Sequence, residues 1–143
     1  MKTYVKISLF VVIFIALSAI LAALYLFTLK HKDLAKAKPD FVISATILQK
    51  AFEDNEKTAS VKYINKIIEV SGKIASIKVV ENNIVNISLV TGSDLSSVIC
   101  TFPSITDLSK FKDGDEIILR GECSGYLMDV LLNNCAVIKD KKK

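Results

Sequence analysis

Histidine is almost missing from this sequence: His31 is the only one, and it lies just behind a long apolar run. That removes any Ser-His or Cys-His nucleophile pair from the part of the chain that can fold. Glycine is scarce too, with five in 143 residues, and no cluster of them could cradle a phosphate. The three cysteines, Cys100, Cys123 and Cys135, include no closely spaced pair and have no histidine near them, so no zinc site is expected. Gly121-Glu122-Cys123-Ser124-Gly125 superficially looks like a nucleophile elbow. Its serine comes one place too late for Gly-x-Ser-x-Gly, and no helix follows it. The chain reads as non-enzymatic, with no catalytic residue, metal or cofactor.

Charge is absent from Ile7 to Leu29, and so are glycine and proline; Ser8, Ser18, Tyr25 and Thr28 are the only hydroxyls there. At about 1.5 Å per residue the run reaches roughly 34 Å, enough to cross a hydrocarbon layer of about 30 Å. A small domain could not surround a helix that is apolar on every side. A cleaved signal peptide has an apolar region of only about 7–15 residues ending at a small-x-small site. This run is longer, and Ala35-Lys36-Ala37 sits behind Lys30, His31 and Lys32, a poor context for cleavage. An uncleaved transmembrane helix, with the lipid bilayer as its partner, is the expectation.

Its direction is argued from two sides. Lys2 and Lys6 precede the run, whereas Lys30, Lys32, Lys36 and Lys38 follow it, which by the positive-inside rule would hold the C-terminal side in the cytoplasm. A short N-terminal helix is the ordinary export signal, however, and three cysteines are heavy usage for a small cytosolic domain. The reading adopted is a single-pass inner-membrane protein with its domain on the periplasmic side. Beyond Pro39 the chain has 13 basic and 14 acidic residues, and without the Lys139–Lys143 tail 9 and 13. Its overall positive charge therefore lies at its ends, which disfavours nucleic acid as a partner.

Along the chain, residues 1–6 form a short tail, 7–29 the membrane helix and 30–40 a polar juxtamembrane linker closed by Pro39. A folded domain spans 41–138, and 139–143 is a solvated lysine tail. Ser44 suits a helix N-cap. Leu48, Phe52, Ala59 and Tyr63 recur at helical spacing behind it, in one helix or in two broken near Asn55. From Ile68 the period changes to two. Gly72 sits inside that first strand, where it marks a bulge or bend, and the apolar phase shifts beyond Ala75. Val85–Leu89, Val98–Phe102, Ile117–Cys123 and Asp129–Ile138 supply four more strands. Ser104–Lys112 suggests a short helical turn, and Asp113-Gly114-Asp115 a tight one. Five short strands with a bent first one fit an OB-fold Greek-key barrel, here preceded by helix, in a mainly β domain.

Three segments carry a family resemblance: AFEDNEKTASVKYINKIIEVSGKI from Ala51 to Ile74, SSVICTF from Ser96 to Phe102, and KDGDEIILRGECSGYLMDVLLNNCAVI from Lys112 to Ile138. From Ile43 to Ile138 the chain resembles the bacterial tRNA-anti-like OB-fold family. The resemblance implies a leading helix running into a barrel, in exported or membrane-attached proteins of unassigned role.

Two groups of candidate residues remain. In an exported domain two of the cysteines would pair. Cys123 with Cys135 closes a short loop between consecutive strands, Cys100 with Cys135 joins the third strand to the fifth, and three buried reduced thiols are the alternative. Tyr126 and Asp129 fall in the loop between strands four and five, one that such barrels use for ligands. Alternatively the Tyr126 ring packs on the barrel rim and Asp129 caps the turn. The function read from the sequence is a membrane-tethered binding module of the cell envelope for a protein, peptide or glycan. The alternatives are a nucleic-acid binder facing the cytosol, or a structural subunit of an envelope complex.

Overall fold

The computed structural model describes residues 2–29, 34–81, 84–103 and 106–141. The chain divides into two units, Met1–Lys32 and Asp33–Lys143. The first contains α1 (Lys2–Leu29), 28 helical residues. Side chains are described for 11–25 of it; all are exposed, and the Ser18 hydroxyl is satisfied inside the helix by donating to the Ile15 carbonyl at 2.8 Å. Counted over the described residues alone, no helix is long and apolar enough to cross a membrane.

The second unit runs β1 (Phe41–Ser44), α2 (Ala45–Asp54), α3 (Glu56–Tyr63), β2 (Ile67–Val79), β3 (Val85–Leu89), β4 (Val98–Phe102), β5 (Glu116–Leu127) and β6 (Asp129–Lys141). Strands β2, β3, β4, β6 and β5 follow one another around a closed sheet, and β5 returns to β2. The β4–β6 pair is parallel and the other four pairs are antiparallel. This is the five-stranded Greek-key barrel that the alternating segments predict, in the OB order. The addition is β1, which pairs parallel with the first half of β2, Phe41 beside Ile68 through Ser44 beside Ser71. Four residues leave too little pattern to read as a strand.

The helices end where local chemistry says they should. Ser44 Oγ accepts the Ile47 amide, and Asn55 Oδ1 accepts that of Thr58, so the asparagine separates α2 from α3 and caps the second. Leu48 and Phe52 of α2, with Ala59 and Tyr63 of α3, enter the barrel core beside Ile68, Val70, Leu89, Phe102, Leu119 and Leu132.

Two expectations shift in detail. The bulge in β2 falls between Ile74 and Ser76, two residues beyond Gly72. Gly72 serves a close approach instead: a Cβ there would stand 3.2 Å from that of Ala45, the first residue of α2. Between β4 and β5 the described residues 106–112 contain no helix. Phe111 donates its amide to the Leu108 carbonyl in a turn, and both side chains are buried. The expected cap at Ser104 lies outside the described residues. Gly114, at φ 93°, makes the turn into β5, which needs a left-handed residue.

Candidate functional site

OB barrels bind ligands on the outer face of their second and third strands, which here are β3 and β4. Alternation puts Ile87, Leu89, Val98, Cys100 and Phe102 inside. Asn86, Ser88, Ile99 and Thr101 are left half-exposed on the outside. Register sets Asn86 between Lys78 and Thr101, and Ser88 between Ser76 and Ile99; Leu131 of β6 follows Ile99. The face is neutral and hydrogen-bonding in its middle, apolar at its β6 border and cationic only at Lys78. The Asn86 carboxamide oxygen is itself buried and has no hydrogen-bond partner. Sequence reasoning missed this face, although the alternation that identifies its core-facing neighbours also identifies these residues.

No aromatic ring stands on it. Phe102 and Phe111 are buried. Phe41 meets Tyr63 edge-on at 5.1 Å, and Phe52 stacks on Tyr126 at 5.1 Å. Every aromatic side chain of the second unit is thus engaged in the core or under the helices.

Tyr126 therefore belongs to the wall. It lies inside β5 opposite Val130, and no loop separates β5 from β6. Leu127 pairs with Asp129 around the single residue Met128, whose φ is 66°. The loop expected between strands four and five is thus replaced by a turn that one left-handed residue completes. Burial and the carboxylates of Glu53, Glu56 and Asp129 push the Tyr126 phenol upward. Asp129 accepts both the amide and the hydroxyl of Ser97, at 2.6 and 2.9 Å, so it ties the β3–β4 loop to the start of β6. Gln49 donates to the Met128 carbonyl at 2.7 Å and to Glu53, which also accepts the Ser96 hydroxyl. Those contacts hold the Glu53 carboxyl below its ordinary value. Tyr126 and Asp129 are thus both embedded where helix, loop and turn meet.

The cysteines are free, buried thiols. Cys100 of β4 and Cys123 of β5 flank Leu132 of β6 from opposite sides. Cys135 directs its sulfur back to the Leu132 carbonyl, 3.4 Å away, and of the other two thiols it is Cys100 that acts on it. Burial, with the Cys100 thiol second, raises the Cys135 thiol well above its ordinary value, and burial pushes Cys123 up to about 11.

The opposite side of the barrel is closed by charge. Arg120 of β5 reaches Glu69 of β2 and donates to the carbonyls of Leu34, Ala35 and Ala37. Both side chains of the pair are mostly buried, at 12 % and 18 % exposure. Asp40 adds a rung by accepting the Ile67 amide and donating its own to the Ile67 carbonyl.

The tRNA_anti-like family model matches residues 1–137. The chain belongs to the tRNA_anti-like family. The match includes the segment of α1 as well as the barrel, a wider span than the Ile43–Ile138 resemblance. Comparison with curated proteins finds no match. Among solved structures, a protein of Klebsiella pneumoniae subsp. pneumoniae MGH 78578 described as a "putative nucleic acid-binding lipoprotein" is 18% identical. The similarity covers 67% of this chain and 91% of that one, with a TM-score of 0.56. For this tRNA_anti-like chain the likeness establishes the fold.

Proposed function

We propose that this protein is a membrane-anchored, non-enzymatic binding module that takes a protein, peptide or glycan on the outer face of β3 and β4. The observation that carries the reading is the composition of that face. Binding of single-stranded nucleic acid by such barrels needs a basic groove and rings on which bases stack. This face has half-exposed Asn86, Ser88 and Thr101 instead, which offer hydrogen bonds but neither a charge nor a ring. Anchoring is assigned to the run Ile7–Leu29, and the folded part to the periplasmic side of the inner membrane. The inclusion of residues 1–29 in the family match supports treating the helix as part of the protein's design.

A second reading, a nucleic-acid binder held at the cytosolic face, draws on the description of the Klebsiella neighbour and on the lysines after the helix. Two measurements separate the readings. A reporter active only in the periplasm, fused after Lys143, should be active. Fluorescence anisotropy with single-stranded DNA and RNA at about 0.1 M salt should show no saturable binding. An inactive reporter together with salt-dependent binding would replace the first reading with the second.

A further inference from the structure

We propose that Cys100 and Cys135 are joined by a disulfide in the exported protein, and that Cys123 remains a free thiol. The inference rests on the periplasmic assignment above and deepens it. In sequence, Cys123 with Cys135 is the shorter loop. In space, β6 decides otherwise. Leu132 lies between Cys100 and Cys123, and the Cys135 sulfur turns back along β6 to the Leu132 carbonyl and meets the Cys100 thiol. Asn134, at φ 53°, provides the bend that lets the strand do this. Gly121 provides the space, since a Cβ there would stand 2.5 Å from the Cys135 sulfur. Both sulfurs thus lie inside the barrel on strands far apart in the chain.

The chemistry is thiol–disulfide exchange with an oxidised dithiol protein or with glutathione disulfide. One of the two sulfurs, as thiolate, attacks the oxidant's disulfide, whose S–S bond breaks and whose far sulfur leaves as a thiol. The second cysteine then attacks the mixed disulfide and releases the near sulfur. Two electrons and two protons pass to the oxidant. Because both groups are buried in the finished barrel, exchange proceeds while β6 is still undocked.

The full-length protein, extracted from membranes under trapping by an alkylating reagent, should carry label on Cys123 alone before reduction and on all three cysteines after it. Mass spectrometry should find the peptides of Cys100 and Cys135 linked. Refolding the reduced full-length protein in a glutathione–glutathione disulfide buffer poses the pairing question without reference to a compartment. A Cys100–Cys135 link there supports the assigned pair, and the link should survive Cys123→Ala. If it forms in the buffer but is missing from the extracted protein, the pair stands and the periplasmic assignment falls. Three free thiols in the refolded protein, or a link that includes Cys123, would overturn the proposal.

Discussion

The two sides of the barrel treat their outward residues in opposite ways. Where β2 meets β5, Arg120 and Glu69 point outward yet are mostly buried, because residues 34–37 lie over them and supply three carbonyls. Where β3 meets β4, the outward residues Asn86, Ser88, Ile99 and Thr101 are uncharged and half-exposed. A charge on a sheet surface can be sequestered only with partners already in place. The seam finds most of those partners within its own chain, with Arg120 Nε left buried and unpartnered, whereas the outward residues of β3 and β4 carry no charge that needs any. On the function proposed above, the contrast sets stability at one side and recognition at the other.

Breaking the seam should have the largest consequence. Arg120→Ala leaves the Glu69 carboxylate mostly buried without its cation and should cost about 3–5 kcal/mol. The loss should appear as a lower midpoint in urea denaturation of the full-length protein in detergent. Replacing both residues by apolar ones of similar size, as in Arg120→Met with Glu69→Leu, should recover most of it. If the double variant is as unstable as the single, the Arg120–carbonyl bonds and not the ion pair hold the seam.

Alkaline pH tests the inner side of the same strand. The Cys123 thiol titrates at about 11 in the fold, against an ordinary value of 9.0. Above pH 9 the unfolded chain loses this proton while the folded one keeps it, so stability falls as pH rises through 11. Raising the thiol from 9.0 to about 11 corresponds to roughly 3 kcal/mol, lost in full only above pH 11. Cys123→Ala should lose much of that slope.

Two glycines of β5 sharpen the comparison further. Gly121→Ala drives a Cβ against the Cys135 sulfur and toward Leu132, and should cost about 1–3 kcal/mol. Gly125→Ala meets nothing within 4 Å. Its effect should stay within about 0.5 kcal/mol, read from the same unfolding curves. The smallest effect belongs to the open face, where Thr101→Lys should also change stability by no more than about 0.5 kcal/mol. A large loss there would mean that the face is structural and would remove the basis for placing a ligand on it.

How much of this was legible in the sequence depends on how far apart the interacting residues are. Ser44 acts on an amide three residues away, so the start of the first helix could be read directly, whereas the break at Asn55 was left open between one helix and two. The barrel strands were legible from alternation, and the phase shift beyond Ala75 marked the bulge correctly even though Gly72 had another reason to be there. β1 was not legible, since its partner lies 27 residues later and is parallel to it. Tyr126 was misplaced because a single left-handed Met128 does what a loop was expected to do. Arg120 gave no signal at all. It alternates as an ordinary outward residue, and its carbonyl partners lie 83–86 residues away. Alternation says which way a side chain points but not what covers it.

The Arg120 contacts also decide where this domain can be cut. A truncated domain starting at Asp40 would keep every strand and both helices of the second unit, and by secondary structure it would look complete. It would nevertheless strip the guanidinium of the Leu34, Ala35 and Ala37 carbonyls and open the Arg120–Glu69 pair to water. Leu34, only 2 % exposed, belongs to the folded unit. The autonomous piece for crystallisation, ligand screening or fusion to another anchor is therefore one that retains residues 34–39, even though those residues contain no helix or strand.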